Sequence, residues 1–484
     1  MSNVFDGLEP KEVLNNFYKI SQSYSRRADN CQGVSDFMTA FGRNLGLETF
    51  QDETGNVIIW KPATPGYEKA PTVMLEGHMD MICAANIGVT HDFDNEPIRI
   101  LVDEDGDTVR ADGTTLGADD GLGVAMIMSV LESKTIEHPA LEAVFTVNEE
   151  TDMKGALNVH YEKLHSKVIL SLDGDRLALG GGGELEMEMF LDYSRIPAEA
   201  DTVQAEISIS GLIGGHSGKN AYIERGNAVT LLVRMLSALQ KKMPFRLTAF
   251  TGGDFTACAF ARDSFCSIVF PKEYAATVEQ HAAEWQELYS REMAVQDPDV
   301  RVTLTWAEKP ADTTLDDAST ERFINFITIL PDGICSIHKY FEKKYESCVN
   351  VGVVEMPDDR EFRIITCIRS AMAAKKYFQY DKILRICALT GVRHGILHDL
   401  PQWEFNANSR AAEIARKVYD DLEPAIGGGT CEMGIFLDNL PGSEAVGVGP
   451  VVNSPHSPNE CFSIKMMEKD WKRLIQLLKE LKNY

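Results

Sequence analysis

The 484-residue sequence predicts an α/β domain interrupted by an inserted α+β domain. In the first third of the chain, short apolar runs typical of buried strands alternate with helical patterns. From about residue 185, strand-like segments instead alternate apolar and polar residues, as half-buried antiparallel strands do. The alternation of apolar strand-like runs with helical patterns returns near residue 395. These three observations predict a discontinuous domain, residues 1–186 and 395–484, around an insertion at residues 187–394.

The first domain begins with two helical patterns within residues 10–50, the second of which ends at Gly46 as a helix C-cap would. Four apolar runs then predict buried strands. They are VIIW at 57–60, TVMLEG at 72–77, LEAVFTV at 141–147 and KVILSLD at 167–173. Residues 122–132 are apolar nearly all round, which is typical of a helix packed against a sheet. Together these elements predict a sheet whose faces are covered by helices.

The insertion is predicted to combine antiparallel strands with long amphipathic helices. AEISISG at 205–211 and EFRIITCIR at 361–369 are the clearest alternating strands. Between and after them, residues 228–242 and 373–391 have helical periodicity. The final segment, 463–484, predicts a C-terminal helix of the first domain.

Charge and composition narrow the classes of partner. Lys and Arg number 47 against 73 Asp and Glu, a formal charge of −26, which disfavours nucleic acid or an anionic membrane as the main partner. A cationic ligand or a metal fits this balance better. No run of about 20 apolar residues and no signal-peptide pattern is found, so a cytoplasmic protein is expected. The ten cysteines include no CxxC pair and are expected to be reduced, mostly buried thiols.

Five clusters of metal-ligand type lie at the ends of apolar segments. Three of them follow predicted strands, and ligands of open α/β sheets bind in the crevice beyond the carboxyl ends of strands. Each cluster alone has a structural explanation, such as helix capping by the aspartates. The clusters are His78-Met79-Asp80, Asp119-Asp120, Asn148-Glu149-Glu150, Asp173 and His456.

Together, two imidazoles and several carboxylates suit zinc and similar divalent ions. Such a set can build a two-metal site, in which ions about 3.5–4 Å apart activate water and polarise a carbonyl. Adjacent side chains at a strand end can point in different directions, so Glu149 and Glu150 can take different roles. One can bind metal while the other acts as a general base.

The motifs resemble those of aminoacyl-histidine dipeptidases (Xaa-His dipeptidases, peptidase D), within the co-catalytic zinc family of carboxypeptidases, aminoacylases and dipeptidases. The matching segments are GNVIIWKPATPG, EGHMDMI, DGTTLGADDGLGVA, NEETDMKGA, SLDGD, GLIGGHSG and PHSPNE, in the family's order. The resemblance implies a zinc-peptidase-like catalytic domain and an inserted lid domain that also forms a homodimer. It further implies hydrolysis of small peptides with two divalent ions, zinc first, with manganese or cobalt as alternatives.

The resemblance also implies the metal ligands. One zinc would be held by His78, Asp119 and Asp173, and the other by Asp119, Glu150 and His456, with Asp119 as the bridge. Two further residues are implied to act beside the metals. They are Glu149, as general base, and Asp80, which would orient His78.

The lid residues carry alternatives. His216 in GGHSG matches a lid histidine that reaches the scissile carbonyl, and otherwise it is a turn histidine in a glycine-rich loop. Arg369 could bind a substrate carboxylate or form a surface or interdomain ion pair. Glu432, after three glycines, is expected in the substrate pocket. Ala257 stands where relatives have an asparagine expected to help bind substrate, which bears on specificity.

The expected function is therefore di-metal hydrolysis of dipeptides, either Xaa-His dipeptides or a broad range. The first alternative is an N-acyl amino acid deacylase with the same metals, motivated by Ala257. The second is a non-catalytic binding protein on the same fold.

Overall fold

The computed structural model describes residues 4–22, 25–174, 176–254 and 256–484. The chain divides into two compact units. The first unit comprises Met1–Gly181, Phe405–Gly427 and Cys431–Tyr484, and the second comprises Gly182–Glu404 and Gly428–Thr430. No helix in the described part of the chain is both long and apolar enough to cross a membrane.

The strands are β1 Glu48–Gln51, β2 Val57–Lys61, β3 Val73–His78, β4 Ile100–Val102, β5 Thr108–Ala111, β6 Leu141–Thr146, β7 Val168–Ser171, β8 Gly183–Asp192, β9 Arg195–Pro197, β10 Thr202–Ser210, β11 Arg246–Gly252, β12 Ser264–Pro271, β13 Arg301–Trp306, β14 Thr313–Leu315, β15 Gly333–Ile337, β16 Tyr345–Glu355, β17 Glu361–Ser370, β18 Arg393–Leu400, β19 Glu444–Gly447 and β20 Cys461–Ser463. The helices are α1 Lys11–Ser21, α2 Gln32–Asn44, α3 Ala118–Glu132, α4 Lys154–Leu157, α5 Ala228–Gln240, α6 Ala275–Glu292, α7 Asp317–Ile329, α8 Ala373–Thr390, α9 Arg410–Val418, α10 Glu432–Asn439 and α11 Ile464–Glu480.

The first unit is built on a six-stranded mixed sheet in the order β1-β2-β6-β3-β7-β19. Its first two pairings are antiparallel, whereas β6, β3, β7 and β19 run parallel. Every residue of β3 and β6 is buried, and α3 is buried along nearly its whole length beside them. This matches the predicted α/β class, because a parallel sheet needs cover on both faces.

The second unit is built on a nine-stranded antiparallel sheet. Its main order is β13-β10-β12-β11-β16-β17-β8-β18, and β15 pairs with β16. Helix α5 begins where the Asn227 side chain accepts the backbone N–H groups of Val229 and Thr230, and its apolar face is buried in this unit's core. The predicted α+β texture is therefore present.

The observed limits of the second unit differ from the predicted 187–394. The unit begins at Gly182 and returns to the first unit at Phe405. The reason is strand pairing: β8 starts at Gly183, and β18 pairs with it antiparallel, so both strands belong to the antiparallel sheet. Apolar periodicity alone did not reveal that partner.

Candidate metal centre

The parallel strands of the first unit place three polar clusters side by side. Strand β3 ends at His78, and Asp80 follows it. Glu149 and Glu150 follow β6, and Asp173 follows β7. Because β6 and β7 flank β3 in parallel, these residues leave the sheet at the same edge.

Asp119, at the start of α3, lies between two histidines. Its Oδ1 is 3.3 Å from His78 Nε2, and its Oδ2 is 3.3 Å from His456 Nε2. His456 Nε2 is also 2.9 Å from Glu150 Oε2. The two oxygens of one carboxylate thus face two different imidazoles, which is the arrangement a bridging ligand requires.

Donor atoms of these residues form two groups that share Asp119. One group joins His78, Asp119 and Asp173, the other joins Asp119, Glu150 and His456, and within each group all donor atoms lie within 4.8 Å of one another. Two ligands of a tetrahedral zinc with bonds of 2.0–2.1 Å are about 3.4 Å apart, close to the separations around Asp119. The geometry fits two divalent cations in adjacent positions.

The electrostatics of the cluster fit the same conclusion. Burial, with Asp119 nearby, raises the pKa of Asp173 well above its usual value. Burial also raises the pKa of Glu149 to about 7, with the Glu150 carboxylate adding to the effect. Glu150 Oε1 is buried without a hydrogen-bond partner among the described residues. Buried carboxylates crowded in this way are typical of a site that holds cations.

His456 shows the matching effect on an imidazole. Hydrogen bonds to Asp119 and Glu150 raise the pKa of His456 to about 10. The proton on this ring occupies the position that a cation would take between the two carboxylates. A metal ion binds the neutral ring, so binding displaces that proton.

Asp80 organises the loops on both sides of His78. The His78 Nδ1–H donates to the Asp80 carbonyl oxygen at 3.2 Å, and Asp80 Oδ1 is 3.5 Å from the same nitrogen. The carboxylate accepts the backbone N–H groups of Glu149 and Glu150 at 3.2 and 3.1 Å. These contacts leave His78 Nε2 directed at Asp119 and tie the glutamates to the end of β3.

Sequence reasoning missed two residues that hold the Asp119 segment. The buried Glu460 carboxylate accepts four consecutive backbone N–H groups, at 2.7–3.1 Å. The donors are Leu116, Gly117, Ala118 and Asp119. Buried Arg26 donates from Nη1 to the Gly117 carbonyl oxygen and from Nε to that of Met79, joining this segment to the loop after β3. Glu460 is the last residue of the PHSPNE segment, so that motif could have indicated its role. No motif in the sequence pointed to Arg26.

The remaining predicted residue of the first unit, Glu432, is buried at the start of α10. Its Oε2 accepts the Thr146 hydroxyl at 2.7 Å. Burial and the neighbouring Glu76 carboxyl raise the pKa of Glu432 well above its usual value. Its carboxyl group is therefore bonded within the first unit.

In the second unit, His216 has a defined tautomer. Its Nδ1 accepts the backbone N–H groups of Gly218 and Lys219 at 2.9 and 3.1 Å, which places the ring proton on Nε2. Burial, together with Arg369 and Lys219, lowers the pKa of His216 to about 3. The ring is a neutral N–H donor at physiological pH.

Arg369 forms a buried ion pair. Its Nη1 is 2.5 Å from Glu184 Oε2, and the guanidinium also donates to the hydroxyls of Thr430 and Ser217. This pair is buried within the second unit, not at the surface or between domains as one of the two predictions had it. Ser217 follows His216 directly, so this pair also supports the histidine loop.

Ala257 lies in a small apolar cluster of the second unit. Its side chain is fully buried with Val353, Ile365 and Cys367. The backbone of Gly352 approaches so closely that a Cβ there would lie 2.2 Å from Ala257 Cα. In this structure the position belongs to the packing of the unit.

Comparison with known proteins agrees with this geometry. The sequence model of peptidase family M20/M25/M40 matches residues 74–481. The chain belongs to this family. It is 29% identical to the cytosol non-specific dipeptidase of Escherichia coli, over 98% of both chains. It is 27% identical to peptidase T of Clostridium botulinum over 280 residues, which cover 50% of this chain and 64% of the relative.

A solved structure shows the same fold along almost the whole chain. Aminoacylhistidine dipeptidase from Vibrio alginolyticus superposes with a TM-score of 0.87 at 28% identity, covering 98% of this chain and 97% of that one. As a member of the M20 family, the protein is a metal-dependent peptidase, and each of the two donor groups around Asp119 could hold a metal ion.

Proposed function

We propose that this M20-family peptidase hydrolyses dipeptides, either Xaa-His dipeptides or a broader range, with two divalent cations bound around Asp119. The observation that carries the proposal is the pair of donor groups sharing one carboxylate. The activities named for the relatives from E. coli and V. alginolyticus support dipeptides as the substrate class.

The donor set favours zinc at both positions, with manganese or cobalt as alternatives. Imidazole nitrogens and carboxylate oxygens, without sulfur, suit this borderline group of ions. His78, Asp119 and Asp173 would hold one cation, and Asp119, Glu150 and His456 the other. When bound, such a pair supplies an activated water and polarises the substrate carbonyl.

Glu149 is the proposed general base. It is held beside the two ligand groups because its backbone N–H is bonded to Asp80, and its carboxyl group is buried with a pKa of about 7. A carboxylate of that basicity can take a proton from water at neutral pH and return it to the leaving amine. Asp80 keeps both His78 and Glu149 in place for this transfer.

His216 is the proposed donor to the developing oxyanion. Its proton lies on Nε2 because Nδ1 accepts two backbone N–H groups, so the ring donates without a change of charge. We propose that Arg369 and Glu432 bind substrate by giving up their present side-chain partners in the protein. Arg369 would release Glu184 for a substrate carboxylate, and Glu432 would release Thr146.

We also propose a cytoplasmic homodimer that forms through the second unit. The printed name of the E. coli relative supports the compartment. Light scattering coupled to size exclusion tests the dimer: a mass of about twice 53.7 kDa is expected, and a monomer at working concentration would contradict it.

Hydrolysis by metal-reconstituted and chelated protein tests the function. The panel contains Xaa-His dipeptides, other dipeptides and N-acetyl amino acids. We expect cleavage of dipeptides by the reconstituted protein and loss of cleavage after chelation. Cleavage of N-acyl amino acids alone would replace the proposal with a deacylase. No cleavage of any compound by protein with bound metal would leave the non-catalytic alternative.

A further inference from the structure

The second unit contains another cluster of metal-ligand side chains, apart from the Asp119 centre. Donor atoms of Glu184, Cys258 and Cys367 lie within 4.8 Å of one another. His398 Nε2 is 2.7 Å from Glu184 Oε1, and Cys258 Sγ is 2.9 Å from the same oxygen. Two thiols and one carboxylate therefore lie together, and one partly exposed imidazole is hydrogen-bonded to the same carboxylate.

The sheet of the second unit holds three of these four ligands rigidly. Across three neighbouring strands, Cys367 on β17, Glu186 on β8 and His398 on β18 are direct partners. Glu184 lies two residues before Glu186 and therefore on the same face of the sheet. Ligands on adjacent strands are better preorganised than ligands on loops, and only one of the four residues lies outside a strand.

The fourth residue is Cys258, in the segment between β11 and β12. The backbone N–H of Ala257 donates to Glu186 Oε1 at 3.0 Å, which draws this segment onto the sheet. Cys258 Sγ is partly exposed, whereas Cys367 is buried. An ion can therefore reach the cluster from the Cys258 side.

The charges of the cluster suit a divalent cation. The two oxygens of Glu184 face opposite ways: Oε2 contacts Arg369 at 2.5 Å, and Oε1 faces the Cys258 thiol and the imidazole. With both thiols deprotonated, Glu184 and the two sulfurs carry three negative charges, and Arg369 compensates one. One divalent cation neutralises the remaining two.

We propose that Cys258, Cys367, His398 and Glu184 form a binding site for a thiophilic divalent cation, Zn²⁺ in the first instance. Soft thiolates with imidazole and carboxylate make a four-coordinate set of the zinc type. Each ion bound displaces the two thiol protons and the proton that His398 Nε2 donates to Glu184; these protons pass to solvent, and no electron transfer is involved.

Such an ion would act on the segment that carries His216. The Cys258 carbonyl oxygen accepts the Ser217 N–H at 2.8 Å, and the Phe260 N–H donates to Gly215 at 2.9 Å. His216 itself bridges to Ala259. An ion that holds Cys258 against the sheet would therefore also hold the His216 loop. Any effect of this on catalysis rests on the proposed function, whereas the binding of the ion is independent of it.

Titration of the full-length, reduced, metal-free protein with Co²⁺ tests the site. The proposed ligands around Asp119 include no sulfur, so a thiolate-to-cobalt charge-transfer band reports only on cysteine ligation. We expect such a band, three equivalents of metal per chain, and one equivalent fewer with loss of the band in Cys258→Ser. Hydrogen exchange of residues 256–260 is expected to slow when Zn²⁺ is added.

A control variant, a second test variant and the contradicting results are as follows. Cys335→Ser, a partly buried cysteine of the same unit outside the cluster, is expected to leave band and stoichiometry unchanged. If Cys258→Ser does not fold, His398→Ala is the second test variant, and it is expected to weaken metal binding at this cluster. Two equivalents without a band would overturn the site. The proposed site would also be overturned if the charge-transfer band were lost in Cys431→Ser but kept in Cys258→Ser. A Cys258–Cys367 disulfide found by thiol mapping, with no third metal bound, would overturn it as well.

Discussion

The Asp119 centre of the first unit and the Cys258 cluster of the second are both buried groups of ligating side chains, but they balance charge differently. At the Asp119 centre, burial raises the pKa values of Asp173 and Glu149, and neighbouring carboxylates add to the effect. At the Cys258 cluster, Arg369 and His398 supply positive charge, and the pKa of Glu184 falls well below its usual value despite burial.

This difference separates two ways of building a site. The first has more carboxylates than imidazoles, so bound cations would reduce the repulsion among its carboxylates. At the second, Glu184 is already paired with Arg369 and His398, so the fold of the second unit does not require a bound ion. Removing metal is therefore expected to affect the first unit more than the second.

The largest effect is expected from Glu149→Gln. Losing the proposed general base lowers kcat by about 10²–10⁴-fold, because the amide cannot accept the proton of water. Steady-state hydrolysis with metal analysis on the same sample measures this. Metal content is expected to stay at the wild-type level. The exposed Glu104→Gln serves as the matched control, and near-normal turnover of Glu149→Gln would refute the assigned role.

His216→Ala probes the second unit in the same reaction. Removing one preorganised N–H donor to an oxyanion is expected to reduce kcat by about 10²–10³-fold without loss of metal at the Asp119 centre. The exposed His394→Ala, in the same unit, is the comparison variant. A histidine that only shapes its turn would leave kcat unchanged while lowering the melting temperature.

Glu460→Gln tests how far backbone anchoring sets metal affinity. The amide keeps one acceptor oxygen in place of two, so the N–H groups of residues 116–119 lose part of their anchor. Calorimetric titration is expected to show affinity reduced by about 10–100-fold at the Asp119 centre. The thiolate band of the Cys258 cluster should be unaffected. Equal weakening at both clusters would indicate a general defect in folding.

Ala257→Asn has the smallest expected effect and distinguishes packing from specificity. The pocket around Ala257 is apolar and closed by Gly352, so the larger amide is expected to cost about 1–3 kcal/mol of unfolding free energy. Urea denaturation measures this cost, with the exposed Ala200→Asn as control. A gain in kcat/KM for dipeptides at unchanged stability would instead assign the position to substrate selection.

Much of the first unit could be read from local pattern. The four apolar runs correspond to β2, β3, β6 and β7, with limits shifted by at most two residues. The polar residues that follow them are recognisable because a buried strand ends where polar side chains begin, and parallel strands end together. Family membership of the chain confirms the predicted peptidase fold and chemistry. The roles of individual residues stay proposals.

In the second unit, local sequence patterns did not predict which residues of different strands are neighbours, and the reason is physical. Cys367, Glu186 and His398 meet only through the register of three antiparallel strands, and a shift of one residue would turn the aligned side chains to opposite faces. Within one strand their alternation looks like that of any half-buried strand. The limits at Gly182 and Phe405 depended on the same pairing.

The sequence by itself determined the fold class, the order of the elements and the residues available to bind metal, because these depend on periodicity and on what directly follows a strand. Only the tertiary structure decided that Glu460 holds the Asp119 segment from 341 residues away and that Arg369 is paired with Glu184. It also decided that Ala257 is a packing residue. Such contacts join positions whose separation in the chain carries no local signal, and they form only when the strands are brought into register.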